Sequence, residues 1–323
     1  MTPFQALFSN GDLSTIAGNF WPRNLDEARY PASEKLFCTE PGIQVKALSH
    51  QPLSSVKGEL IVLHGLEGSH DSGYMKSMAQ AALVRGLRVH RLNMRTCGGT
   101  EALAPTLYHA GLTSDLRAIL ESFVAEGRGP VFLAGYSLGG NVVLKLAGEL
   151  AGAAPSLNLA GIVSISTPLD LMACCQRMQQ PRNYLYSSKF LTRLKDRYRR
   201  RASEFPDRFP LDGLDHVGSV LEFDDKFTSK SFGFGDAANY YETQSSRNFL
   251  QAIEIPTLMI HAADDPLIPL WVYQKAKPEA NPNIQLVLTP HGGHVGFISR
   301  NKPRFWAEES ATDWICSRIQ GTC

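Results

Sequence analysis

The stretch Pro130-Val131-Phe132-Leu133-Ala134-Gly135-Tyr136-Ser137-Leu138-Gly139 decides how this chain reads. An apolar, strand-like run feeds directly into a G-x-S-x-G pentapeptide. A strand that ends in a sharp turn, with a helix leaving on the far side, lifts one serine into a strained and exposed position above a sheet edge. That arrangement is a nucleophile elbow. Glycines flank the serine because the two backbones pass too close there for side chains. The pentapeptide alone carries little weight, since composition supplies roughly 0.2 chance matches in a chain like this. Its neighbours have to raise the odds.

Working outward, short apolar, β-branched runs alternate with longer helical patterns. Strands are predicted over 43–48, 59–64, 87–92, 131–136, 161–166, 257–261 and 284–288, and helices over 74–85, 112–126, 138–150, 270–276 and 304–319. Leu112, Leu116, Ile119, Leu120 and Phe123 recur at helical spacing, so that segment should bury one face. Such alternation implies an α/β fold with a largely parallel sheet covered on both faces, and chemistry at the carboxyl ends of the strands. From residue 168 to 255 no strand is predicted, yet the interval is too long for an ordinary loop. It holds thirteen of the thirty aromatic residues. We read it as a mostly helical cap inserted in a core made of residues 1–167 and 256–323. Its rings either form the insertion's own small core or line an apolar acyl pocket.

A serine hydroxyl is a poor nucleophile until a base takes its proton, and the base needs a third group to orient it. Both are available, in the order Ser, Asp, His. Asp264 and Asp265 follow the apolar run 258–261, and Pro266 stops the strand there. His291 and His294 stand in His291-Gly292-Gly293-His294 after the strand ending near Leu288. Within each pair the spacing leaves both residues open. Asp264 can equally satisfy backbone amides in the turn. An oxyanion needs N–H donors as well. The Leu138 amide lies at a helix N-terminus, and the loop His64-Gly65-Leu66-Glu67-Gly68 offers the Leu66 amide. The plain alternative is a Gly-rich turn with His64 a satisfied turn histidine.

Five pieces stand in order: His64-Gly65-Leu66-Glu67-Gly68-Ser69, Asn93-Met94-Arg95-Thr96-Cys97-Gly98-Gly99, Gly135-Tyr136-Ser137-Leu138-Gly139-Gly140-Asn141, Asp264-Asp265-Pro266-Leu267-Ile268-Pro269 and His291-Gly292-Gly293-His294-Val295-Gly296-Phe297. Together with Leu13-Ser14-Thr15-Ile16 and Phe20-Trp21-Pro22-Arg23 they resemble the YheT-like branch of the α/β hydrolases, a group of predicted esterases. The resemblance covers nearly the whole chain and is weakest in the cap. It implies the α/β-hydrolase fold, a mostly parallel sheet of about eight strands with helices on both faces, and a Ser-Asp-His esterase or lipase-like site. It selects Asp265 and His294 as partners of Ser137. Thr96 departs from the pattern, which usually has a glycine after the arginine of that segment.

The totals exclude several classes. A chain of 323 residues with 43% hydrophobic and 20% charged residues is globular rather than disordered. A net charge of +1 gives no pull toward nucleic acid. Six cysteines without C-x-x-C or zinc-finger spacing read as reduced thiols. No signal peptide and no run of eighteen apolar residues is evident, so a soluble cytoplasmic protein is expected. A metal site from His291, His294 and the aspartates lacks a third His or Cys at a usual spacing, and no cofactor is implied. Cys97 has no activating base and reads as a buried, inert thiol, while Glu67 is either a support for the oxyanion loop or an exposed charge. The basic run Arg193, Lys195, Arg197 and Arg199-Arg200-Arg201 reads as a solvated helix face, with peripheral membrane contact as the alternative. The expected activity is hydrolysis of short- to medium-chain acyl esters or lipids through an acyl-serine. An acyltransferase with the same triad, or a non-catalytic ligand-binding protein, are the alternatives.

Overall fold

The computed structural model describes residues 2–320, so Cys323, counted above among the reduced thiols, lies outside the described residues. The strands are β1 (Ala32–Glu40), β2 (Ile43–His50), β3 (Gly58–Leu63), β4 (Leu87–Leu92), β5 (Val131–Tyr136), β6 (Leu159–Ile165), β7 (Thr257–Ala262) and β8 (Ile284–Thr289). They form one eight-stranded sheet in the order β1-β2-β4-β3-β5-β6-β7-β8. Pairings from β4 through β8 are parallel, while β1–β2 and β2–β4 are antiparallel. The helices are α1 (Gly11–Phe20), α2 (Gly73–Leu83), α3 (Ser114–Ala125), α4 (Leu138–Leu150), α5 (Leu171–Met178), α6 (Tyr184–Glu204), α7 (Val220–Phe223), α8 (Ser229–Ser231), α9 (Ala237–Gln244), α10 (Leu270–Ala276) and α11 (Trp306–Gln320).

Every residue of β3, β5 and β7 is buried, which is what a strand with both faces covered requires. On one face Leu116, Ile119, Leu120 and Phe123 of α3 join Val142, Val143 and Leu146 of α4 against Ile61, Leu133 and Met259. The other face packs Met75, Met78 and Ala82 of α2, with Trp314 and Ile315 of α11, against Leu60, Val62, Phe132 and Ala134. Each large apolar side chain so buried stabilises the fold by about 1.5–3 kcal/mol.

Two elements escape the periodicity reading. In the edge strand β1 only Phe37 is buried, and charged and polar residues blunt the rest, so no apolar alternation marks it. Helix α1 is inverted. Its buried side carries Gly11, Ser14, Thr15 and Gly18, while Leu13, Ile16 and Phe20 face out. The small side allows close packing, since a Cβ on Gly18 would lie 2.6 Å from the Gly296 Cα.

Between β6 and β7 the chain is helical, carrying α5 to α9 and no strand among the described residues. Its rings divide between two uses. Tyr198, Phe209, Phe223 and Phe227 stack edge-on or tilted at 4.7–5.9 Å and form a small core of their own. Phe190, Tyr240 and Tyr241 line a cleft that Ser137 also lines.

Candidate active site

Register brings the site together. Leu63 pairs with Gly135, and Ala262 with Thr289, so the loops after β3, β5, β7 and β8 emerge at the same edge of the sheet. Ser137 follows β5 directly, at φ +50° and ψ −118°, and α4 begins at the next residue. A non-glycine residue in that region is strained, as the elbow demands. The crossing is tight. A Cβ on Gly135 would meet the Gly139 carbonyl at 2.3 Å, and one on Gly139 would meet the His64 carbonyl at 2.5 Å.

The two aspartates diverge. Asp265 Oδ1 accepts from the Leu267 and Ile268 amides at 2.8 and 2.9 Å, and Oδ2 accepts from His294 Nδ1 at 2.8 Å. Because a carboxylate only accepts, Nδ1 carries the proton and Nε2 is left as the acceptor. Ser137 Oγ lies 2.9 Å from that Nε2. Burial alone would raise the Asp265 pKa. The facing imidazole and the backbone N–H groups outweigh it and hold the carboxyl below its ordinary value. Asp264 turns away. Its Oδ1 accepts from the Gly293 amide at 2.8 Å and its Oδ2 lies 3.1 Å from His291 Nδ1.

The His64–Gly68 loop sits against the serine, for a Cβ on Gly65 would lie 3.1 Å from the Ser137 Cβ. The Gly65 amide donates to the Tyr74 hydroxyl at 3.1 Å and the Glu67 amide to the Tyr108 hydroxyl at 3.0 Å. Between them the Leu66 N–H has no acceptor among the described residues. Leu138 N–H is the first of α4 and has no partner within the helix. Two amides are thus left to donate beside Ser137. His64 is buried, donates Nδ1–H to the Gly65 carbonyl at 2.8 Å and accepts the Met94 amide on Nε2 at 3.1 Å. Burial pushes its pKa down to about 4, so it is a neutral brace of the loop.

The basic run of α6 is a solvated face only in part. Arg193, Lys195, Arg199 and Arg200 are partly or well exposed, but Arg197 and Arg201, one turn apart, point inward. Arg197 pairs with Glu67 at 2.7 Å, lies 4.5 Å over the Tyr108 ring and donates to Thr96 Oγ1 at 3.2 Å. Arg201 bonds the Glu101 and Ala104 carbonyls. The pair ties α6 to the core loops, and Glu67 is a buried partner rather than an exposed charge. Thr96 sits at φ +63°, the left-handed region that explains a glycine in the family pattern, and Arg197 grips the residue that replaces it. Cys97 is buried and its thiol is pushed up to about 12, which leaves it inert.

Spacing alone did not single out the braces of the histidine loop. Thr15 Oγ1 accepts the His294 amide at 2.8 Å. Buried Arg23 donates to the Val295 and Gly296 carbonyls at 3.2 and 3.0 Å and pairs with Glu308. Both residues belong to the N-terminal motifs that carried the resemblance, which was the available signal. The cleft itself holds about 780 Å³ of space, its open mouth included, and is walled by Leu66, Leu138, Leu171, Met178, Leu194 and Val220 among others. Ser137 and His294 open into it. Among the described residues no helix is long and apolar enough to cross a membrane.

A parallel sheet of this order, flanked on both faces and bearing a strained serine directly after β5, defines the α/β-hydrolase class. Residues 59–300 match the model of the alpha/beta hydrolase fold family. The chain is 34% identical over 320 residues to the Escherichia coli K12 protein named "Putative esterase YheT", covering 97% of this chain and 92% of that one. It therefore belongs to the α/β-hydrolase fold family, in its YheT-like branch. Mouse phospholipase ABHD3 is 30% identical over 253 residues, 78% of this chain, and this chain spans only 61% of its length. A solved esterase of Pyrococcus furiosus, 16% identical, superposes with a TM-score of 0.59 over 93% of this chain and 98% of that one, a likeness of fold.

Proposed function

We propose that this protein is a carboxylic-ester hydrolase in which Ser137, His294 and Asp265 form the catalytic triad. The Leu66 and Leu138 amides make its oxyanion hole, and residues 168–255 act as a cap over the site. The observation that carries the reading is the continuous relay from Ser137 Oγ to His294 Nε2 (2.9 Å) and from His294 Nδ1 to Asp265 Oδ2 (2.8 Å), set in an apolar cleft. His294 takes the serine proton as Oγ bonds the ester carbonyl carbon, and the carbonyl electron pair moves onto oxygen. The two amides hold that oxyanion, each contributing about 3–4 kcal/mol to the transition state. Collapse expels the alcohol oxygen, which leaves with the proton from Nε2. Water then repeats the sequence on the acyl-serine and releases the acid.

The largely apolar walls of the cleft suit an apolar acyl group of short to medium length. The names of the relatives, an esterase and a phospholipase, favour acyl or lipid esters. The five cysteines of the described residues are free thiols, which fits a reducing compartment and a cytoplasmic enzyme. The test is hydrolysis of p-nitrophenyl butyrate by the wild-type chain and by Ser137→Ala, with fluorophosphonate labelling mapped by peptide mass. The variant should lose at least about 10³-fold in rate and should not label. Equal rates in the two proteins overturn the mechanism.

A further inference from the structure

The cleft is largely apolar, but its helical wall carries a carboxylate. Asp224 begins the π-helical turn Asp224–Thr228 and lines the cleft. Its Oδ1 accepts from Thr228 Oγ1 at 2.7 Å and its Oδ2 from the Tyr241 hydroxyl at 2.5 Å. Both donors are neutral. No Lys, Arg or His comes within ion-pair distance of it among the described residues. Arg197 lines the same cleft, but its guanidinium is engaged by Glu67 at 2.7 Å and by Thr96 at 3.2 Å. Arg197 is therefore the counter-charge of Glu67, and the negative charge of Asp224 is left over.

An uncompensated charge beside apolar surface is unfavourable, and it is relieved by neutralisation or by a cation from outside. Burial pushes the Asp224 pKa up to about 6, short of neutralising it at pH 7. Each carboxylate oxygen accepts only one hydrogen bond from protein and retains capacity for another. Tyr240 and Tyr241 line the same wall, and aromatic faces attract cations. π-Helical turns are rare and recur at functional sites.

We propose that Asp224 is an anionic subsite of the cleft, and that the cleft takes a ligand joining an apolar chain to an ammonium group. The inference rests on the cleft being the substrate site of the hydrolase reading, and it narrows the substrate class to esters bearing an amine remote from the acyl bond. Leu171, Leu194 and Val220 supply the apolar contact, and Asp224 supplies the counter-charge.

Titration calorimetry of the full chain at pH 7.5 tests this with hexylammonium, 1-hexanol and hexanoate as probes. Hexylammonium should bind at least tenfold tighter than hexanol, and hexanoate more weakly than either. Asp224→Asn should bring hexylammonium and hexanol within twofold of each other, while Asp224→Glu should keep the amine preference. Equal affinities in the wild-type protein, or an amine preference that survives Asp224→Asn, overturn the proposal. Should the Asn variant fail to fold, the wild-type comparison and the Glu variant decide alone. Calorimetry needs no turnover, so an inactive Ser137 would sink the hydrolase reading while leaving the binding result decisive on its own terms.

Discussion

Asp264 and Asp265 are neighbours with the same side chain and separate partners. Asp265 orients His294 while its other oxygen is fixed by two backbone amides, and Asp264 organises His291 and the Gly293 amide. Asp265→Asn should therefore lower kcat by about 10⁴, because an amide no longer fixes the imidazole tautomer or stabilises its charged form. Asp264→Asn keeps an acceptor for Gly293 and should cost less than about tenfold, on the scale of a perturbed hydrogen bond. Steady-state kinetics on p-nitrophenyl butyrate separates them, and equal losses would contradict the assignment. The sequence located both pairs of candidates but could not choose within them by spacing. Pro266 predicts the end of β7, whereas which carboxylate faces His294 depends on the turn by which Asp265 Oδ1 captures the Leu267 and Ile268 amides. Backbone torsion of that kind is not written in residue types.

At the level of elements, α6 and α1 each hold a loop of the site from outside the core. Arg197 of α6 fixes Glu67, and the Tyr108 hydroxyl both receives the Glu67 amide and donates to its carboxylate at 2.9 Å. Arg197→Met leaves Glu67 buried without a counter-charge and should destabilise the protein by about 3–5 kcal/mol, read as a lowered denaturant midpoint. Tyr108→Phe is the gentler probe. It should lower kcat by about ten- to a hundredfold with KM changed less than about threefold, because the Leu66 amide would lose its alignment in the proposed oxyanion hole. A fall in stability with kcat intact would make the tyrosine structural only. Helix α1 acts on the other loop. Gly18→Ala drives a methyl group to 2.6 Å from Gly296, so α1 and Thr15 must shift away from the His294 amide. These braces were hardly legible because their chemistry is nonlocal. Arg197 and Arg201 look like members of a basic stripe until Glu67 and Glu101, some hundred residues away in sequence, are known to lie beneath them. In α1 the packing face is made of the smallest residues, so apolar periodicity points to the wrong side. The parallel strands were legible as short apolar runs, which β3, β5 and β7 bury on both faces, and α3 was legible because its buried Leu116, Ile119, Leu120 and Phe123 follow helical spacing.

For the whole molecule, the unpaired charge of Asp224 makes a statement about stability against pH. Its pKa is raised on folding from 3.8 to about 6, so the native state holds its proton more tightly than the unfolded chain does. Stability is then favoured below about pH 4, where both states are protonated, and declines as pH rises through about 6, where the buried form must ionise. Asp224→Asn removes that penalty. The variant should be more stable than wild type at pH 7.5 by about 1–2 kcal/mol, a value reduced from the full shift because the carboxylate is partly open to the cleft. That corresponds to a rise in Tm of roughly 2–4 °C, and the advantage should disappear by about pH 4. The groups around Asp224 do not titrate in this window. Cys175 on α5 is pushed up to about 12, Tyr240 and Tyr241 on α9 lie well above 10, Arg197 on α6 stays charged, and His109 across the cleft is pushed down to about 3. Thermal melts of both proteins from pH 4 to 8 measure the difference directly. A carboxylate retained only to hold Thr228 and Tyr241 would make the Asn variant equal or less stable at every pH. A carboxylate retained for a ligand leaves the empty protein destabilised by its own binding site, and hexylammonium should then raise the Tm of the wild-type protein while leaving that of the variant unchanged.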